Sequence, residues 1–280
     1  MRILVTGSEG FLGKHLVRSL SEDGRSVTGI DLALFDRHDI RGDLAWVKLE
    51  NYDACVHLAA IAAPDKCKKD PSLAFETNVR GTHNVLRLCE RLNIRRFIFM
   101  SSAHVYGISP KYMPTPESHP LALHDTYTTT KILGEQLCEL FWQNHGIAYT
   151  CIRLFNAYGP GQSPDYFLGV KLRQANAGGP LTVRNASVTK DWIYIGDVIR
   201  AIQLALESDF VGPVNIGTGI ETSLGQLVER IAQGFNLPIV TEEDDPSGPS
   251  RMRANIDRAK TVLSWEPQIA VEEGLSKLWG

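Results

Sequence analysis

The sequence predicts an α/β protein built on a doubly wound parallel sheet, with a smaller C-terminal lobe interleaved with it. Three observations carry this. Short apolar runs rich in branched residues alternate with longer stretches of helical period. A glycine-rich turn joins the first run to the first helical stretch. Beyond about Asn156 the rhythm breaks into shorter elements punctuated by glycine and proline.

In chain order, the expected strands are Arg2–Thr6, Val27–Asp31, Ala54–Leu58, Arg96–Ser101 and Ala148–Leu154. The clearest helices are Phe11–Leu20, Leu73–Leu92 and Thr126–His145, the first stopped by Glu22-Asp23-Gly24. Strands crossing over through helices give a parallel sheet. After Asn156 come the breakers Gly159-Pro160-Gly161, Gly178-Gly179-Pro180 and Asp244-Asp245-Pro246-Ser247-Gly248-Pro249. Lys190–Leu206 and Pro213–Gly217 still read as a helix and a strand of the first lobe. The expected division is therefore residues 1–160 with 190–217 returning to them, and 161–189 with 218–280 as the second lobe.

Composition narrows the function classes. With 280 residues, 43% of them hydrophobic, the chain can bury one large core and a smaller one. A formal net charge of −3 with scattered basic residues offers no footprint for nucleic acid. The five cysteines, Cys55, Cys67, Cys89, Cys138 and Cys151, lack the close pairing of metal or redox motifs, so they are read as reduced core thiols and no metal is expected. The apolar run Met1–Val5 is too short for a signal peptide, and nothing approaches the roughly 20 residues of a membrane span. A cytoplasmic protein without membrane contact is expected, and the acceptor pattern Asn185-Ala186-Ser187 carries no meaning there.

Thr6-Gly7-Ser8-Glu9-Gly10-Phe11-Leu12-Gly13 follows the first strand and opens the first helix. In that place one glycine permits the tight turn, one lets backbone approach a pyrophosphate, and one lets helix and strand pack closely. The second strand ends at Asp31, where a carboxylate can bind both adenosine ribose hydroxyls. Its charge would repel a 2′-phosphate, so the expected cofactor is NAD rather than NADP. Arg37 lies several residues into the next loop and is discounted.

Tyr127-Thr128-Thr129-Thr130-Lys131 puts a phenol and an ammonium four apart on one helix, hence on one face. A phenol titrates near 10 and is a poor base at neutral pH. A fixed cation favours the phenolate, so Tyr127 can take a proton from a substrate hydroxyl or return one to a ketone. Ser101-Ser102 ends the fourth strand, at the carboxyl edge where ligands of doubly wound sheets bind, and a serine there can hydrogen-bond a developing alkoxide.

With these features the chain resembles the extended short-chain dehydrogenase/reductase superfamily, and within it the NAD-dependent sugar-nucleotide epimerase/dehydratase family, of Rossmann-type fold. The resemblance runs nearly the whole length. It rests on the glycine turn, His57-Leu58-Ala59-Ala60, Asn78-Val79-Arg80-Gly81-Thr82, Ser101-Ser102-Ala103-His104-Val105-Tyr106-Gly107, and Tyr127 with Lys131. Arg153-Leu154-Phe155-Asn156-Ala157-Tyr158-Gly159-Pro160, Asp191-Trp192-Ile193-Tyr194 and Asn215-Ile216-Gly217 add to it.

The resemblance implies Ser102, Tyr127 and Lys131 as catalytic residues, with Lys131 also on the nicotinamide ribose. Cofactor contacts would come from Gly7, Gly10, Phe11, Leu12, Gly13, Asp31, the adenine pair Asp43-Leu44, Leu58, Ala59, Ala60, Asn78 and Phe155. A nucleotide sugar would meet Ser102, His104, Tyr127, Asn156, Thr182, Arg184, Lys190 and Arg251. The helices Leu73–Leu92 and Thr126–His145 are those that pair across a two-fold axis in relatives, which implies a homodimer, although apolar residues such as Leu86, Leu133 and Leu137 can equally serve their own sheet.

Departures from the family pattern narrow the reaction. Related 4,6-dehydratases carry Asp and Glu directly after the catalytic Ser/Thr, where this chain has Ala103 and His104. An alanine cannot protonate a leaving hydroxyl. The expected activity is therefore 4-epimerisation through a 4-keto sugar, with a 4-ketoreductase or dehydrogenase as the alternative and a non-catalytic NAD-binding protein a distant third. His104 either touches the sugar or is a satisfied structural imidazole. Lys190 stands where relatives often have Arg, and Pro249-Ser250-Arg251-Met252-Arg253 replaces their Arg-containing turn, leaving open which arginine neutralises a diphosphate.

Overall fold

In the computed structural model, residues 1–244 and 251–279 are described. Six parallel strands form the central sheet: β1 Arg2–Thr6, β2 Ser26–Ile30, β3 Ala54–His57, β4 Arg96–Ser102, β5 Ala148–Leu154 and β6 Gly212–Ile216. Their order is β6-β5-β4-β3-β1-β2. The chain runs outward from β1 to β2, then returns to β1's other side for β3, so a crevice opens above the carboxyl ends of β1 and β3. The expected α/β fold is what the chain adopts, and the strand expected over Pro213–Gly217 pairs with β5 from Gly212↔Thr150 to Ile216↔Leu154.

Strand alternation sorts the core onto two faces. Ile3, Val5, Ala54, Val56, Ile98, Met100 and Ile152 face one side, where Leu16 and Leu20 of helix α1 (Phe11–Glu22) and the helix Ile195–Glu207 cover them. Leu4, Cys55, Phe97, Phe99, Cys151 and Tyr149 face the other, under helices Gly81–Arg91 and Thr126–His145. All five cysteines are buried and unpaired. Gly134 lets the long helix approach the sheet: a Cβ there would stand 2.3 Å from Phe99 Cζ.

Element bounds differ from expectation in instructive places. The second strand stops at Ile30, leaving Asp31 just beyond it. The single helix expected over Leu73–Leu92 is three segments: Pro71–Phe75, a π-helical turn Glu76–Arg80, and Gly81–Arg91. A π turn inserts an extra residue per turn and rotates the helix downstream of it, a device concentrated at functional sites. A third core gathers Tyr158, Leu168, Leu181, Val183, Leu227, Ile231 and Leu275 away from the sheet. Most of the breaker segment Asp244–Pro249 lies outside the described residues. Among the described residues no helix is long and apolar enough to cross a membrane.

Candidate active site

A cavity of about 620 Å³ opens above the switch point, between the main sheet and the third core. Its floor is the glycine turn. Gly10 caps α1 without a side-chain acceptor, so the first N–H groups of that helix remain free to face a ligand. Gly7 has φ +71°, and a Cβ on it would lie 2.6 Å from Ala59 N. On Gly13 a Cβ would fall 2.0 Å from Gly7 O and 2.7 Å from Ser8 C. Both glycines are thus required by backbone rather than by mobile side chains. Gly13→Ala is expected to displace the loop at a cost of about 1–3 kcal/mol and to weaken NAD binding by about tenfold or more, measured by calorimetric titration. Gly179→Ala, with nothing within 4 Å, is the silent control.

Asp31 is held by two backbone donors, Glu9 N and Ala33 N, each at 2.9 Å. This fixes the carboxylate against the glycine turn, where it could meet an adenosine ribose. The glycine cradle, the uncapped helix and this carboxylate together fit NAD.

Behind the turn runs a buried hydrogen-bond chain. Thr82 donates its hydroxyl to Asn78 O at 2.6 Å, so His57 Nε2–H must donate to Thr82 Oγ1 at 2.9 Å and Nδ1 must accept from the Thr6 hydroxyl at 2.6 Å. Burial, aided by the Lys131 charge, lowers the His57 pKa to about 3, and the ring is neutral as this tautomer requires. Asn78, in the π turn, donates to Thr130 Oγ1 at 3.0 Å and Ile61 O at 3.1 Å and accepts from Ile61 N at 2.8 Å. It does not face the cavity; it ties the loop after β3 to the helix that carries Tyr127. The sequence assigned His57 no role within its motif, and the neutral bridge is the role the geometry gives it.

Ser102, Tyr127 and Lys131 converge on the cavity wall. Asp125 caps the long helix through Thr128 N at 2.7 Å, which sets Tyr127 in its first turn. Ser102 ends β4 beside Tyr127 on the cavity wall, and its Oγ accepts from His104 N at 3.2 Å. The Lys131 ammonium donates to Met100 O at 2.8 Å and lies 5.9 Å from the Tyr127 ring centroid. The sequence led us to expect a cation that lowers the Tyr127 pKa. In the protein alone the pKa is instead raised, because burial of the phenol outweighs the influence of the neighbouring Ser102 hydroxyl. The phenolate therefore needs the positive charge of an oxidised cofactor as well as Lys131.

Burial lowers the Lys131 pKa from 10.5 to about 8. Between those values the unfolded chain holds the extra proton, so this group makes stability rise with pH from 8 to 10.5; below pH 8 its destabilisation is fully present. Lys131→Met loses the bond to Met100 O, about 1 kcal/mol at any pH, and removes the pH-dependent penalty. The melting temperature of the variant minus that of the parent, both without cofactor, is expected to fall as pH rises from 8 towards 10. A flat or rising difference refutes the assignment.

Of the other expected site residues, Phe11, Leu12, Leu58, Ala60, His104, Phe155, Asn156 and Lys190 line the cavity. His104 is mostly buried, and desolvation, then the Lys190 charge, lowers its pKa and favours the neutral ring. Asn156 donates from both backbone and side chain to Asp191 O, at 3.0 and 3.2 Å. Desolvation lowers the Lys190 pKa to about 8. Several residues are not brought to the cavity. Leu44 is buried in the second core and Asp43 accepts from Ala45 N at 2.8 Å. Thr182 accepts from Gln174 Nε2 at 3.1 Å, Arg184 pairs with Glu242 at 3.5 Å, and Arg251 Nε donates to Glu221 at 2.9 Å. Pro249 and Ser250 lie outside the described residues, and buried Arg253 Nε has no acceptor among the described residues.

Sequence reasoning missed the far wall: Gln162, Tyr166, Phe167, Trp192, Leu224 and Met252. Trp192 Nε1 is buried without an acceptor among the described residues. Its place directly after Asp191 in the Asp-Trp-Ile-Tyr motif was the available signal. No aspartate or glutamate lines the cavity among the described residues.

A doubly wound sheet with a glycine cradle at its switch point, and a Ser, Tyr and Lys on the adjoining wall, defines an NAD-dependent enzyme of Rossmann-type fold. The model of the NAD-dependent epimerase/dehydratase family matches residues 3–217, and the chain belongs to that family. UDP-glucuronic acid decarboxylase 5 of Arabidopsis thaliana is 33% identical, over 98% of this chain and 87% of its own. A UDP-glucose 4-epimerase from Thermotoga maritima, solved with UDP-glucose, superposes with a TM-score of 0.92 at 28% identity, over 99% of this chain and 97% of its own. MoeE5, solved with UDP-glucuronic acid and NAD, gives 0.87 at 26% identity, over 99% and 97%.

Proposed function

We propose that the chain is a nucleotide-sugar 4-epimerase. The observation that carries this is the cavity wall: Tyr127 and Ser102 are present, Ala103 follows, and among the described residues no carboxyl side chain is there to drive an elimination. Tyr127 Oη removes the C4 hydroxyl proton while Ser102 Oγ hydrogen-bonds the same oxygen, and Lys131 holds the phenolate charge. NAD held over Gly7, Gly10 and Gly13 would supply the hydride acceptor, and in turn the donor, for C4. The keto sugar lies against Leu154, Phe155, Phe167 and Met252, apolar walls that offer few directional bonds and let it turn over. Tyr127 then returns its proton to the oxygen, leaving inverted C4 and no net redox change.

On this reading residues 1–160 and 190–217 hold the cofactor, and 161–189 with 218–280 hold the nucleotide sugar. Asn156 and Lys190, which line the cavity, are the contacts assigned to its diphosphate, whereas Thr182, Arg184 and Arg251 lie outside the cavity lining. A homodimer is supported by Leu73, Phe75, Leu133, Leu140 and Trp142, exposed on the two helical segments that would meet; light scattering tests it.

The decarboxylase relatives favour one further reading: C4 oxidation of a nucleotide-linked uronic acid makes its carboxylate β to a ketone, and loss of CO₂ leaves C5 to take up a proton. A panel of nucleotide hexoses and hexuronic acids, with products separated and NADH absorbance followed, decides. Epimer formation with no lasting absorbance change is expected. CO₂ release supports the decarboxylase, and stoichiometric NADH consumption a reductase.

A further inference from the structure

Three side chains beside the catalytic tyrosine, none of them used together in the proposed reaction, have the chemistry of a metal site. His104 stands in the 3₁₀ turn Ala103–Tyr106 after β4, and His124 and Asp125 immediately precede the long helix. We propose that His104, His124 and Asp125 bind a single divalent transition-metal ion such as Zn²⁺, and that the bound ion bars the sugar from Tyr127.

Donor placement supports this. Asp125 Oδ1 is committed to Thr128 N, which fixes the carboxylate, and Oδ2 lies 3.1 Å from His124 Nε2. The His104 ring is stacked 6.5 Å from that of His124 and meets the Tyr127 ring edge-on at 5.8 Å. One donor atom from each of the three residues lies within 4.8 Å of the others. Tetrahedral zinc with bonds of about 2.0–2.2 Å needs donors roughly 3.4 Å apart. His124 and Asp125 meet that already, and small ring rotations close the rest. The ring nitrogens of His104 make no hydrogen bond within the described protein, so none is lost by rotation.

Two imidazoles and one carboxylate select zinc, cobalt or nickel over magnesium or calcium. Three protein donors leave one position open to water or a substrate oxygen. The Lys190 ammonium, near enough to act on His104, opposes a cation and keeps affinity modest. Because His104 also lines the cavity, the ion and the sugar compete for one space. The site is independent of which C4 chemistry the enzyme runs.

The test titrates Co²⁺, then Zn²⁺, into NAD-loaded protein. One equivalent of Co²⁺ is expected to develop the visible absorption of a four-coordinate ion and to lose it to Zn²⁺. His124→Ala and Asp125→Asn, the latter retaining a good helix cap, should each weaken binding by about tenfold or more. His124→Ala should keep metal-free turnover, while Zn²⁺ raises KM for the nucleotide sugar in the parent only. Absence of binding at about 100 µM Co²⁺, far weaker than a structural zinc site would give, or affinity unchanged in both variants, overturns the proposal.

Discussion

Tyr127→Phe is expected to lower kcat by about 10²–10⁴-fold, the usual contribution of a positioned acid/base. The phenyl ring keeps its contacts with Cys67 and Ala74, so folding and NAD affinity should be nearly unchanged. What disappears is the hydroxyl that faces the cavity beside Ser102. Ser102→Ala should cost less, because it removes a hydrogen bond to the reacting oxygen and not the proton carrier. Single-turnover kinetics with the substrate found in the panel check both. If Tyr127→Phe turned over at the parent rate, the mechanism would fall whichever sugar proved correct.

The largest expected loss of stability comes from Arg153→Met. Arg153 is buried and forks onto Glu135 at 3.0 and 2.7 Å, while its third nitrogen donates to Tyr106 Oη at 3.1 Å and Glu117 O at 3.0 Å. Tyr106 in turn donates to Asn215 Oδ1 at 2.6 Å, and Asn215 N donates to Glu117 Oε1 at 2.9 Å. The network joins β4's turn, β5, β6 and the long helix beneath Ser102. Removing the guanidinium leaves Glu135 as an uncompensated buried charge, a cost of about 3–5 kcal/mol, or on the order of 10 °C in Tm. Adding Glu135→Leu should recover much of that loss, since the charge that suffers is gone. Urea and thermal unfolding of the single and double variants measure this.

What could be read in advance was local. The glycine turn, Asp31 after β2, and Tyr127 four residues before Lys131 each declare themselves within a few positions, because the chemistry needs them at fixed spacing. The π turn did not, since Asn78 answers to Ile61 and Thr130, 17 and 52 residues away. Leu44 was expected on adenine by resemblance; its side chain lies in the second core, a placement made by packing that no motif records. Thr182 and Arg184 sit at the expected sequence positions but take partners on neighbouring segments. The far wall of the cavity comes from loops whose approach depends on the third core.

The strand order has a consequence for how such a protein can be rebuilt. β6 and the helix Ile195–Glu207 finish the sheet only after the chain has made its excursion beyond β5. A gene cut after residue 160 would leave the edge of β5 bare and strip Ile195, Val198 and Ile202 from one face, inviting edge-to-edge association. Transplanting a new sugar preference into this scaffold as a cassette therefore cannot be done by a single crossover. It requires a splice at every passage between the sheet and the third core.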